Sequence, residues 1–95
     1  LKANSGDPMI ADILALYLDQ CAERQAKPAE VRGRVKRLGL FWGTRRVSAI
    51  RPSTCADYAA TRGDGAARRE LEDLRAALGL AWRERIIANP IPVTM

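Results

Sequence analysis

The chain has 95 residues, 47% of them hydrophobic but only 5% aromatic, with 16 Lys and Arg against 11 Asp and Glu, no histidine and a formal charge of +5. That length supports one small core rather than two domains, and the positive balance favours polyanionic partners over acidic or neutral ones. No run of about 18 apolar residues exists and the N-terminus lacks the charged-then-apolar pattern of a signal peptide, so the sequence reads as a soluble, cytoplasmic protein, bacterial or phage-encoded, with no membrane partner.

Residues 1–6 read as a disordered segment ahead of the folded unit. Asp7 is the expected cap of a first helix, with Pro8 in its first turn, and Ile10, Ile13, Leu14, Tyr17, Leu18 and Cys21 recur on one face as far as Ala22 to Gln25. Pro28 opens a second helix whose Val31, Val35, Leu38 and Trp42 form a narrow apolar stripe, ended by Gly39 or Gly43. Val47 to Pro52 reads as a short extended connection with Ile50 plugging the core. Pro52 starts a third helix carrying Cys55, Tyr58, Ala59 and Arg62 at helical spacing, and Gly63-Asp64-Gly65 breaks it. The fourth and longest helix runs from about Ala66 to Ile87, with Leu71, Leu74, Leu78, Ala81 and Trp82 inward. Gly79 inside it predicts close approach to another backbone, and Arg68 with Glu72 and Arg69 with Asp73 are expected i, i+4 pairs. Asn89-Pro90 ends the folded unit of residues 7–89, and residues 90–95 read as a linker toward a domain that is absent; the start at Leu1 likewise suggests a piece of a longer chain. The expected fold class is all-α.

Charge is unevenly distributed. Residues 1–30 hold three bases and five acids; residues 31–46 hold six bases (Arg32, Arg34, Lys36, Arg37, Arg45, Arg46) and no acid; the remainder holds seven bases and six acids. So many uncompensated charges in so short a span repel one another, which favours a phosphate-contacting surface over a merely solvated helix face. Arg68, Arg69 and Arg75 on the last helix are more ambiguous, because nearby acids offer them partners.

An autonomous active site is not expected. Without histidine the usual proton shuttle is missing, no phosphate-cradling glycine loop is present, and Ser48, Ser53, Thr54 and Thr61 have no obvious base beside them. Cys21 and Cys55 lack the spacing of a zinc site and read as small buried hydrophobes, so neither metal nor cofactor is expected. Trp42 and Trp82 both fall on apolar stripes and read as core, as do Tyr17 and Tyr58.

The order of these features resembles a family. A basic helix, then Leu38-Gly39-Leu40-Phe41-Trp42-Gly43, Val47, Ala49-Ile50-Arg51-Pro52, Tyr58 and Arg62, followed by Arg69-Glu70-Leu71, Leu74-Arg75-Ala76-Ala77-Leu78, Ala81-Trp82 and Asn89-Pro90, looks like the core-binding domain of phage-integrase-type tyrosine recombinases. The resemblance implies a four-helix SAM-like bundle that clamps duplex DNA at the crossover site for DNA integration and recombination. The attacking tyrosine would come from the protein's own C-terminal catalytic domain, and other recombinase protomers would assemble on the DNA. Carried over by position, DNA contact falls on Arg32, Lys36 and Arg37 of the second helix and on Arg68, Arg69 and Arg75 of the fourth; Arg45 and Arg46 join them by charge. Arg51 and Ala66 stand where the family often has Thr or Ser, leaving a poor cap and one hydroxyl fewer toward phosphate. From another class, a small helical protein-protein interaction module, with charges that only keep it soluble, fits the same composition.

Overall fold

The computed structural model describes residues 7–21 and 24–95. Among them the chain forms four α-helices and no strand: α1 (Ile10–Gln20), α2 (Pro28–Trp42), α3 (Pro52–Arg62) and α4 (Asp64–Arg83), with a 3₁₀ turn at Val47–Ala49 between α2 and α3. The all-α expectation holds; the expected disorder of residues 1–6 lies outside the described residues. α4 is the centre of the bundle and packs on each of the other three helices, while α1 and α2 also pack on each other.

The apolar stripes explain this arrangement. Ile10, Ile13, Leu14 and Tyr17 of α1, Val31, Val35, Leu38 and Trp42 of α2, and Cys55 and Tyr58 of α3 converge on Leu71, Leu74, Ala77, Leu78 and Ala81 of α4, and Val47, Ile50 and Ile87 close the core from the connections. Phe41, Trp42 and Tyr58 form an aromatic group with ring centroids 5.0 to 5.9 Å apart, the spacing of tilted and edge-on pairs. Cys55 is buried and Cys21 half-buried, both as free thiols. Beyond α4 residues 90–95 have no regular structure, yet Ile91 and Val93 pack against the core.

Several local expectations are corrected. Asp7 does not cap α1. Its carboxylate accepts from the Ser48 N–H and hydroxyl, each at 2.9 Å, and so caps the 3₁₀ turn instead. The α1 N-terminus is satisfied by main chain: Ile10 N–H donates to the Arg45 carbonyl at 2.9 Å, and Val47 N–H returns to the Pro8 carbonyl at 3.1 Å. Residues 47–49 are therefore a turn stapled to the N-terminal segment rather than an extended connector. α1 stops at Gln20, short of the expected Ala22 to Gln25; residues 22 and 23 lie outside the described residues. The α3–α4 joint is the single residue Gly63, at φ 87°, a left-handed value that glycine adopts without penalty, and residues 64 and 65 already belong to α4.

α4 is rotated relative to expectation. Its buried arc includes Glu70, Asp73, Ala77 and Leu80, because α1 and α2 cover that flank, and Trp82 is consequently 47% exposed rather than inward. Gly79 faces no foreign backbone; a Cβ there would meet only the Arg83 guanidinium at 3.6 Å. The helix also ends at Arg83, not near Ile87. Arg85 N–H bonds to the Trp82 carbonyl at 3.1 Å and Ile86 N–H to the Ala81 carbonyl at 2.8 Å, the paired bonds of a Schellman C-cap. The left-handed position of that motif is normally glycine, but here Arg85 occupies it at φ 62°. A side chain in that conformation costs about 1–2 kcal/mol. Arg85→Gly is therefore expected to stabilise the fold by about 1 kcal/mol, less than the full strain because glycine loses more chain entropy, read as a raised midpoint in thermal or urea unfolding.

Candidate nucleic-acid interface

The apolar arc of α4 contains two acids, and a carboxylate taken out of water must find donors. Glu70 is 1% exposed and Asp73 8%. The Tyr58 hydroxyl donates to Glu70, Arg62 donates to both its oxygens through Nε at 2.9 Å and Nη2 at 3.0 Å, and Arg37 Nε donates at 2.8 Å. Asp73 accepts from the Tyr17 hydroxyl at 2.9 Å and from Arg34 Nε. The expected pair of Arg69 with Asp73 is thus replaced by a long-range pair, because Asp73 points into the bundle. The expected Arg68 with Glu72 pair is present at 3.8 Å on the exposed face.

Titration follows from these contacts. Burial alone would raise the Glu70 carboxyl, but the hydrogen bonds from Arg62, Tyr58 and Arg37 outweigh it and hold the group below the ordinary carboxylate value. Burial, reinforced by the hydrogen bond to Asp73, pushes Tyr17 up to about 12. Tyr58 rises for the same reasons, burial first and then its bond to Glu70.

These ion pairs shape the surface above them. Arg34 and Arg37 of α2, Arg62 of α3 and Arg69 of α4 line an open groove of about 420 Å³, together with Ala29, Gly33, Ala66, Glu30 and Glu70. Gly33 has no side chain, and the Arg37 Nη1 and Nη2 atoms lie 3.9 Å from where its Cβ would be. Arg34 and Arg37 engage their carboxylates through Nε, leaving the terminal nitrogens of each fork available to a second anion.

The sequence-derived contact residues fall into three groups. Arg37 and Arg69 share the groove. Arg32 and Lys36 are exposed on α2, and in the turn after it Arg46 is exposed and Arg45 half-buried. Arg45 Nε donates to the Phe41 carbonyl at 3.0 Å with its guanidinium 4.4 Å from the Phe41 ring centroid, and Arg46 Nη1 donates to the Asp7 carbonyl at 2.9 Å. Carbonyl partners orient these guanidiniums without cancelling their charge. Arg68 and Arg75 are brought to neither group: Arg68 lies near Met95 and Leu71, and Arg75 near Pro90, Ile91 and Trp82. Arg34 and Arg62 were missed as groove walls; a signal was available, since acids at 70 and 73 share an apolar arc and must recruit cations from facing helices.

Among the described residues no group of three or more His, Cys, Asp or Glu is positioned to hold a metal ion, and no helix is long and apolar enough to cross a membrane. Comparison with known proteins finds no matching family model, no matching curated protein and no matching solved structure.

Glu70→Gln removes the charge facing Arg37 and Arg62 and is expected to cost about 3–5 kcal/mol, the usual penalty for breaking a buried pair from one side. The pH dependence has two edges. A carboxyl held low in the fold contributes stability above its ordinary value and loses it as pH falls below about 4.5; phenols held high contribute below about 10 and lose it as pH climbs further. Chemical unfolding at stepped pH should show both edges, with the acid edge flattened in a Glu70→Gln variant that still folds.

Proposed function

We propose that this chain is a DNA-binding domain, the core-binding part of a phage-integrase-type tyrosine recombinase, and that it clamps duplex DNA during integration and recombination. The observation that carries the reading is the basic surface of α2 and its following turn. Of the six bases between residues 31 and 46, Arg34 and Arg37 are engaged with buried carboxylates. Lys36 has no carboxylate partner among the described residues, and Arg45 and Arg46 are held by carbonyls. Beside Arg34, Arg37 and Arg69 the floor of small residues Ala29, Gly33 and Ala66 lets a sugar-phosphate backbone approach between α2 and α4.

In this reading Lys36, Arg37, Arg45, Arg46 and Arg69 neutralise phosphates and fix the register of the domain, which positions it without reading sequence. Strand cleavage would belong to the C-terminal catalytic domain of the parent recombinase, with other protomers bound on the same DNA. A competing reading, a protein-interaction module, draws support from Leu40, a large apolar side chain 82% exposed on α2.

Fluorescence anisotropy with a labelled duplex across a salt series separates the two. Log affinity should fall linearly with log salt, and Lys36→Ala/Arg69→Ala should reduce the slope by about 1.8, two contacts at about 0.9 each. Absence of salt-sensitive duplex binding by the folded protein would overturn the DNA reading, and an acidic protein that binds without competition from DNA would favour the module.

A further inference from the structure

The far end of α4 carries a feature that the duplex surface does not use. Trp82 is 47% exposed, and together with Arg83, Arg85, Ile87 and Ala88 it lines an open cavity of about 550 Å³. On its other side Trp82 borders a smaller depression with Arg75 and Pro90. Three arginines therefore border depressions shared with one half-exposed indole, and Glu84 is the single acid in the sequence from residue 74 to residue 95.

A basic residue in the last turn of a helix complements the macrodipole, which accounts for Arg83. It does not account for Arg85, which holds a left-handed conformation where glycine would be unstrained, nor for an exposed tryptophan. Strain retained beside an exposed aromatic marks a place where the side chain itself is needed.

We infer that this end of α4 is a stacking site for a base of single-stranded nucleic acid, with Trp82 as the platform and Arg75, Arg83 and Arg85 as its phosphate contacts. Aromatic stacking combined with a cationic rim is the chemistry by which single strands are held without sequence preference. Bases inside a duplex are already stacked, so the site selects strands that are open. The cavity falls within the about 300–1,000 Å³ of small-ligand pockets. An acidic amphipathic helix fits less well, because it needs a groove that takes anchors at successive helical turns, and the apolar surface here is one ring with Ile87 and Ala88 beside it.

The test is intrinsic fluorescence titrated with a ten-residue oligothymidylate and with an abasic oligomer of equal length. Trp42 is 0% exposed, so quenching reports Trp82. The thymidylate should quench and the abasic strand should not. Trp82→Ala should weaken thymidylate binding by at least about fivefold, the low end of the stacking range. Arg85→Gly should reduce the salt slope by about 0.7, one single-strand phosphate contact, while raising the melting temperature, so weakened binding cannot be assigned to unfolding. Lys36→Ala/Arg69→Ala should leave the quenching intact, separating this site from the duplex surface. Equal quenching by the abasic strand, unchanged binding by Trp82→Ala, or equally tight quenching by a polyglutamate peptide would each overturn the inference.

Discussion

The structure depends on two carboxylates buried in the flank of one helix. Glu70 and Asp73 lie one turn apart on α4, and between them they hold Tyr17 of α1, Arg34 and Arg37 of α2, and Tyr58 and Arg62 of α3. Every other helix is thus attached to α4 by a directional bond as well as by apolar contact. Hydrophobic burial drives the collapse but is tolerant of register; hydrogen-bonded charges are not, since a shift of one residue would strand a carboxylate without donors. α3 shows the constraint most clearly, because α4 is its main helical neighbour and it buries only Cys55 and Tyr58. The Glu70 pairings with Tyr58 and Arg62 fix the angle and height at which that short helix sits.

The same bonds set the character of the surface. An arginine on an exposed helix carries substantial rotamer entropy, which binding must remove. Arg34, Arg37 and Arg62 have already lost much of it to the buried acids, so the terminal nitrogens along the groove are presented in nearly fixed positions. Their net charge is reduced by the same pairing, and the long-range attraction must come from elsewhere: Lys36 on the outer face of α2, and Arg45 and Arg46, which carbonyl partners orient without neutralising. Attraction and orientation are thereby divided between different residues of one contiguous basic stretch.

Periodicity made the helices legible, because stripes such as Val31, Val35, Leu38 and Trp42 leave no other assignment. It failed where an apolar stripe was completed with the wrong neighbour. Trp82 is the largest apolar residue near the end of α4 and follows Leu78 at helical spacing, so it reads as core. The buried arc turns the other way because Glu70 and Asp73 lie inside it, and acids are discounted when a core is read from hydrophobicity alone. The same discounting hid Arg34 and Arg62, which look like ordinary solvated charges until their buried partners are known. Asp7 reads as the cap of α1 because it precedes that helix; its actual partner, Ser48, is 41 positions away, a distance no local rule spans. The basic stretch needed none of this, being a matter of composition.

Departures from local preference sort by whether the fold compensates them. Arg51 is a weak residue for a helix start, because a guanidinium offers no acceptor to the first-turn N–H groups; Thr54 at the third helical position compensates in part by accepting the Arg51 N–H at 3.0 Å. The absent side chain at Gly33 is put to use by Arg37, whose guanidinium crosses the helix there. The buried acids would be ruinous alone, yet each has a phenol and at least one arginine. Arg85 is different: its left-handed backbone closes a helix that glycine would close without strain, and among the described residues no hydrogen bond or ion pair of its side chain offsets the cost. The buried Trp42 indole is the other departure left uncompensated, since its Nε1 N–H finds no acceptor among the described residues.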